Sequence, residues 1–266
     1  MNPINIVIIG TGNLSFHLSH FISSNKHMRL VQVFNHRKTK VATQLANSHN
    51  CGFTSNYNLI NTEADVYFIC VKDDAIAEVA KKLAPLNSKG LFLHTSGSID
   101  ISVISNCLKN AGVFYPLQTF SKNDTLDWNE IPILIEANSN GSLSKLKTLA
   151  KLFSPLVKSM SSQKRLTVHL SAVFACNFTN ALYEASQQIM SNGVSKSEVK
   201  LLEPLMKQSF NKMLALGPKS AQTGPAKRND KVTMQKHLTI LKSNKQLSTI
   251  YKSLSALIIS QQNEKF

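Results

Sequence analysis

Residues 4–15 read Ile4-Asn5-Ile6-Val7-Ile8-Ile9-Gly10-Thr11-Gly12-Asn13-Leu14-Ser15. An apolar run short enough for one buried strand ends at Gly10, and a second glycine follows two residues later. Apolar residues then recur at helical spacing at Leu14, Leu18, Phe21 and Ile22. Strand, glycine turn and helix in that order form the phosphate-binding bend of a dinucleotide-binding α/β fold. Gly10 suits the sharp turn out of the strand, and Gly12, lacking a Cβ, lets a diphosphate approach the backbone. The amides around Thr11, Asn13 and Leu14 then face that diphosphate at the positive end of the helix. The third position of the G-x-G-x-x-G pattern is Ser15, small enough for close helix–strand packing. The competing reading is a plain strand–turn–helix whose glycines serve geometry alone.

The second strand, Leu30 to Phe34, runs into Asn35-His36-Arg37-Lys38-Thr39-Lys40. An acidic residue here would bond the ribose hydroxyls of NAD. None is present; Asn35 can bond the ribose, and the planar fork of Arg37 suits a 2′-phosphate, which favours NADP. Helix Thr39–Ser48 and a short strand at residues 52–54 follow. Asp65 to Val71 is a strongly apolar strand whose carboxyl end, with Val71 and Lys72, is expected beside the cofactor. Asp73 or Asp74, with Asp74 preferred, is expected to cap a helix over residues 75–84. Leu91 to Leu93 runs into His94-Thr95-Ser96-Gly97-Ser98, where the hydroxyls of Thr95 and Ser96 offer donors to a ligand. Val113 to Phe120 reads as an edge, because Pro116 argues against a central strand. Ile131 to Glu136, a helix over 143–153 and Leu156 to Met160 continue the α/β pattern.

From Ser162 strand signals cease and helices follow at 168–190, 195–216, 231–241 and 247–260. Ser195 to Glu198 reads as a capping box, and Pro204 is expected to kink or delay its helix. The expected organisation is a doubly wound, mostly parallel Rossmann-like domain over residues 1–160 and an all-α domain over 161–266.

The chain has 266 residues, a formal charge of +15 and 42% apolar residues, enough for a real core. The positive excess suits an anionic ligand. The lysines sit singly at helical spacing, which argues against nucleic acid as partner. Cys51, Cys70, Cys107 and Cys176 form no CxxC pair. That spacing speaks against disulfides and zinc and fits a reducing cytoplasm. No apolar run has the length of a membrane span.

The chemistry is expected on His169, Asn177 and Arg228. In an uninterrupted helix His169 and Asn177 lie about 80° apart, on one side of an otherwise apolar surface, with Asn180 and Glu184 continuing the stripe. Such polar groups either bond one another or line a wet cleft. Arg228 sits in the loop Thr223-Gly224-Pro225-Ala226-Lys227-Arg228-Asn229-Asp230, where Asp230 is placed to cap the helix holding His237. No nucleophile-elbow motif occurs.

The motifs Gly10 to Leu14, His94 to Ser98, Tyr115 to Ser121, His169 to Phe178 and Thr223 to Asp230 span both halves of the chain. On them the sequence resembles bacterial Rossmann-like proteins with a C-terminal helical domain of unknown function. These are grouped with NADP oxidoreductases of the ketopantoate reductase, pyrroline-5-carboxylate reductase and deazaflavin-dependent NADP reductase type, whose helical half is similar to the C-terminal domain of 6-phosphogluconate dehydrogenase. The resemblance implies an NADP-dependent oxidoreductase of a small carbonyl or imine substrate held in an interdomain cleft. In ketopantoate reductases a lysine opens the corresponding helix as proton donor, with an asparagine two turns later. Here His169 stands in the lysine's place and Asn177 matches the asparagine, so ketopantoate itself is not implied. His169 is expected to supply a proton, Asn177 to orient the reacting atom and Arg228 to anchor an anionic end of the substrate. Many relatives dimerise through the helical half, and the apolar helix over 247–260, with Leu254, Leu257 and Ile258, is suited either to cover a partner subunit in a homodimer or to finish its own. The other reading is a protein that binds NADP without catalysis.

Overall fold

The computed structural model describes residues 2–193 and 196–263. Contacts divide the chain into two compact units, Met1–Phe174 and Ala175–Phe266. The division falls inside the helical run that the sequence reading gave wholly to the second domain.

The first unit is built on one eight-stranded sheet. Its elements are β1 (Ile4–Ile9), α1 (Asn13–Ser24), β2 (Met28–Phe34), α2 (Lys40–Ser48), β3 (Gly52–Thr54), β4 (Val66–Ile69), α3 (Ile76–Leu83), β5 (Leu91–His94), α4 (Ser102–Ser105), β6 (Ala111–Pro116), β7 (Ile133–Ala137), α5 (Asn140–Phe153), β8 (Val157–Ser159) and α6 (Ser162–Ala172). The strand order is β3-β2-β1-β4-β5-β6-β7-β8. All neighbours are parallel except β6 and β7. The order reverses between β1 and β4, which is where such sheets open a crevice for a nucleotide.

Alternation along β1 explains the two layers. Ile6 and Ile8 join one core with Leu18, Ile22, Leu45, Phe68 and Phe153. Val7 and Ile9 join the other with Ile69, Ile76, Leu83 and Ile104. Successive strand residues face opposite sides, and both sides are covered by helices, so an unbroken apolar run is the expected strand signature. Each fully buried Ile or Leu contributes about 1.5–3 kcal/mol.

Three local expectations are corrected. Pro116 does not mark an edge: β6 lies between β5 and β7. Its parallel pairing with β5 ends at Val113, so Pro116 sits beyond the ladder that would need its missing N–H. Asp74 does not cap α3, whose N-cap is Ala75 without a side-chain bond. Nor does Asp73: the short turn at Asp73–Ala75 has Lys72 as its N-cap, also without a side-chain bond. The strand expected to reach Val71 leaves the sheet after Ile69.

In the second unit α7 (Thr179–Gly193) and a 3₁₀ segment (Lys196–Leu201) precede α8 (Leu202–Leu216), α9 (Pro218–Ala221), α10 (Lys231–Ile240) and α11 (Lys245–Asn263). Ser195 of the expected capping box lies outside the described residues. Pro204 does delay its helix: α8 begins only at Leu202, placing the proline in the first turn, where a missing N–H costs no helix bond. Asp230 caps α10 as expected, accepting from the Thr233 amide at 3.0 Å and its hydroxyl at 2.7 Å. No described helix is long and apolar enough to cross a membrane.

Candidate active site

The glycine bend is shaped by two different constraints. Gly10 has φ +105°, and a Cβ there would fall on the carbonyl of Cys70, where β4 leaves the sheet. Its amide donates to the Phe34 carbonyl at 2.8 Å. Gly12 is the N-cap of α1, supplies no side-chain acceptor, and a Cβ on it would meet nothing within 4 Å. No side chain caps the first helical turn, and the space beside Gly12 at the positive end of the helix is open. Ser15 is fully buried, as the close helix–strand packing at this position requires.

Around the bend, Asn35 Nδ2 donates to the Arg37 carbonyl at 2.7 Å, and its Oδ1 makes a long 3.5 Å contact with the Thr11 hydroxyl. Asn35 thus ties the turn after β2 to the bend. Arg37 is exposed, and its guanidinium makes no hydrogen bond or ion pair among the described residues. Asn13 Nδ2 donates to the Phe120 carbonyl at 2.7 Å, while Leu14 packs against the core. His17 Nε2 meets the Ser121 carbonyl at 2.8 Å, so the segment after β6 is fastened to α1 twice. These residues fit a phosphorylated dinucleotide: an open bend, a free cation beyond β2, and no acid between them.

The loop after β5 is more tightly built than its hydroxyls suggested. Ser96 Oγ accepts from the amides of Ser98 and Ile99, each at 3.1 Å, and donates to Asp73 Oδ2 at 2.8 Å. Ser98 Oγ donates to the same carboxylate oxygen at 2.6 Å. The Ser96 hydroxyl is fully engaged within the protein, and the Thr95 hydroxyl makes a long contact with the Ile69 carbonyl at 3.4 Å. His94 is completely buried; its Nδ1 accepts the Ser96 amide at 3.2 Å, which leaves the proton on an Nε2 without a partner. Burial, helped by the nearby Arg165 charge, pushes the His94 imidazole down to about 3, so it stays neutral.

Between the two serines, Gly97 forms a floor. A Cβ there would lie 2.7 Å from Tyr115 Cζ and 2.8 Å from His169 Nδ1. The two rings meet above it, with Tyr115 Oη 3.1 Å from His169 Nδ1. Burial raises the Tyr115 phenol above its ordinary range, with Asp73 adding to the rise and Arg165 opposing it.

Arg165 holds His169's helix in place. Its guanidinium is 1% exposed and meets Glu136 Oε2 on β7 at 2.5 Å, the Ile99 carbonyl and, at 3.1 Å, Ser162 Oγ. Ser162 Oγ also donates to Glu136 Oε2 at 2.6 Å. One turn further along α6, His169 is delivered over Gly97.

The structure therefore gathers Gly10, Thr11, Gly12, Asn13, Leu14, Asn35, Arg37, Val71, Lys72, Thr95, Ser96 and His169 in the first unit. Asn177 and Arg228 belong to the second, and both are exposed. Asn177 lies in a π-helical turn, Val173–Phe178, which interrupts the regular step from α6 to α7. The 80° separation worked out for an uninterrupted helix does not apply. The helix is also not buried: Leu170, Phe174 and Phe178 are exposed. Sequence reasoning gave no site role to Tyr115 or Arg165 and read Asp73 only as a helix cap. A glycine between two serines at a strand end was the available signal for a loop packed under something large.

Two family models match the chain. One describes an NADP oxidoreductase, coenzyme F420-dependent, and covers residues 5–94. The other, a domain of unknown function (DUF2520), covers residues 131–258. No curated protein matches the sequence. A Bacteroides fragilis structure described as a candidate NADP oxidoreductase is 34% identical, with a TM-score of 0.88 over 97% of this chain and 99% of that one. A Thermotoga maritima protein shares the fold at 20% identity and TM-score 0.77, covering 97% of this chain and all of its own. So does an imine reductase from Myxococcus stipitatus in complex with NADP+, at 13% identity and TM-score 0.65, over 96% and 92% of the two chains. With a nucleotide bend of this geometry at one end and a relative of that identity along nearly its whole length, the chain belongs to the NADP oxidoreductase family.

Proposed function

We propose that the protein is an NADP-dependent reductase of a small compound with a C=O or C=N bond, and that Tyr115 and His169 together are its proton source. The observation that carries this reading is their 3.1 Å contact at the carboxyl end of the sheet, on the same rim as the glycine bend. Gly10, Thr11, Gly12, Asn13 and Leu14 would hold the diphosphate through backbone amides, Asn35 the ribose and Arg37 the 2′-phosphate. Val71, Lys72, Thr95 and Ser96 would border the cofactor, Ser96 through its backbone. When bound, NADPH supplies the hydride; the protein supplies orientation and the proton.

The proton path follows from the geometry. With His169 protonated, Nδ1–H donates to Tyr115 Oη and leaves the phenol proton directed elsewhere. As the phenol passes its proton to the substrate heteroatom, the Nδ1 proton replaces it, so no phenolate accumulates. Asn177 and Arg228 are the second unit's proposed contributions, an amide to orient the reacting group and a guanidinium for an anionic end.

We further assign the protein to a homodimer. Among the described residues of the second unit, only Ala226 and Leu241 are buried hydrophobics, while Leu201, Leu205, Leu214 and Ile240 are each more than 60% exposed. A unit with so little interior needs covering, and a second copy presents the same apolar surface under twofold symmetry. Sedimentation should give the mass of two chains; a single-chain mass at every concentration would remove this assignment. The free thiols suit the reducing cytoplasm in which we place the protein.

The functional test is NADPH oxidation against a panel of carbonyl and imine compounds. Wild type should turn over at least one class. His169→Ala should lose about 10²- to 10⁴-fold in kcat while keeping NADPH affinity. Tight NADPH binding without any turnover would favour a non-catalytic nucleotide-binding role instead.

A further inference from the structure

We propose that Asp73 is a positioning residue, which clamps the hydroxyls of Ser96 and Ser98 on one carboxylate oxygen and so sets Gly97 at the height where Tyr115 and His169 meet. The inference rests on the reading of that pair as the proton source.

Asp73 is the first residue of the short turn that leads into α3, and it caps neither that turn nor the helix. It reaches across to the loop after β5 and accepts from Ser96 Oγ at 2.8 Å and Ser98 Oγ at 2.6 Å. These are charge-assisted bonds, stronger and shorter than bonds between neutral groups. They bracket the one residue between the serines. Gly97 in turn has no room to move toward the rings, since even a methyl group would come within 3 Å of both. A sagging loop would remove the support beneath both rings.

The clamp also joins two parts of the site. Asp73 follows Cys70 and Val71, which stand against Gly10 in the glycine bend. The carboxylate therefore ties the strand end behind the nucleotide bend to the loop beneath the acid pair. A shift of one carries to the other through two hydrogen bonds.

Charge is the second consequence. Two groups act on Tyr115 electrostatically: Arg165 on α6, itself paired with Glu136 on β7, and Asp73 from the turn after β4. Its hydrogen-bonded neighbour is His169, also on α6. Burial raises the Tyr115 phenol above its ordinary range, and Asp73 adds to that rise against the opposing charge of Arg165.

Three variants separate geometry from charge. Asp73→Asn keeps an oxygen for both serine hydroxyls and removes the charge. Asp73→Ala removes both. Ser96→Ala with Ser98→Ala removes the clamp and keeps the charge, and serves if Asp73→Ala does not fold. The readout that needs no turnover is NMR of protein labelled at tyrosine and histidine. The Tyr115 titration midpoint should fall in Asp73→Asn, because the carboxylate charge that helps raise it is gone. The His169 Nδ1 signal should report a broken bond to Tyr115 in Asp73→Ala and in the double serine variant. In the turnover assay both of those variants should lose about 10- to 100-fold in kcat, as expected for misplaced reacting groups, and Asp73→Asn much less.

An unchanged Tyr115 midpoint in Asp73→Asn together with an unchanged His169 signal in the other variants would overturn the clamp. If instead the NMR signals move as stated but wild type reduces nothing, the reductase reading falls and the clamp stands.

Discussion

Tyr115 and His169, fifty-four residues apart in the chain, touch through Oη and Nδ1 at 3.1 Å, and Gly97 lies directly beneath both rings. Gly97→Ala should therefore separate them. Its methyl group would start 2.7 Å from Tyr115 Cζ, closer than real Cβ contacts allow. The expected result is a fall in kcat of about 10-fold or more with NADPH affinity unchanged, checked by turnover and fluorescence titration. Tyr115→Phe should reproduce much of that loss without the steric change, and in a double-mutant cycle with His169→Ala the losses should be far from additive, because the two act as a unit.

Arg37 is the cation proposed to meet a 2′-phosphate. Arg37→Gln should weaken NADPH binding by about 10- to 100-fold, in line with about 1.5–3 kcal/mol for hydrogen bonds to a charged group. NADH binding should stay the same. Titration with the two cofactors checks this, and equal weakening for both would assign Arg37 elsewhere.

Glu136 answers the charge of Arg165 inside the protein, with side-chain exposures of 19% and 1%. Removing one member of such a pair strands the other. Glu136→Gln should cost about 3–5 kcal/mol of stability, read as a lower urea midpoint. The larger share of the effect should lie in the first unit, where the pair fastens α6 to β7.

His94 should make the protein acid-sensitive. Its imidazole takes up a proton near the ordinary histidine value of 6.5 when unfolded but only at about 3 when folded. Between those values the unfolded chain binds the extra proton, so stability falls as pH drops from 6.5 toward 3. Going from pH 7 to pH 5 should cost about 2 kcal/mol through this group. Unfolding curves at both pH values, compared with those of His94→Gln, check it: the variant should lose that part of the dependence.

The reach of the sequence differed between the two halves of the problem. The order of strands and helices in the first unit follows from short apolar runs and glycine turns, and those signals are local. Pro116 misled because its cost depends on which neighbours a strand has at that height, a fact no single segment contains. The hydroxyl of Ser96 looked like a ligand donor for the same reason: the carboxylate that occupies it lies more than twenty residues away. Arg165 is one of fifteen basic residues in the stretch 161–266, and only the fold brings Glu136 to it. The phase between His169 and Asn177 was lost to a π-helical turn, which leaves no pattern in side-chain hydrophobicity.

The opening bend carries two glycines that answer to different demands. Position 10 is forbidden to any side chain by the neighbouring strand, whether or not a nucleotide is ever met. Position 12 is crowded by nothing in the protein itself. Random libraries at these two sites, sorted only for folded protein, should return glycine at the first and a broad mixture at the second. Sorting the same libraries for nucleotide capture should narrow the second as well, so its tolerance measures how close the diphosphate comes.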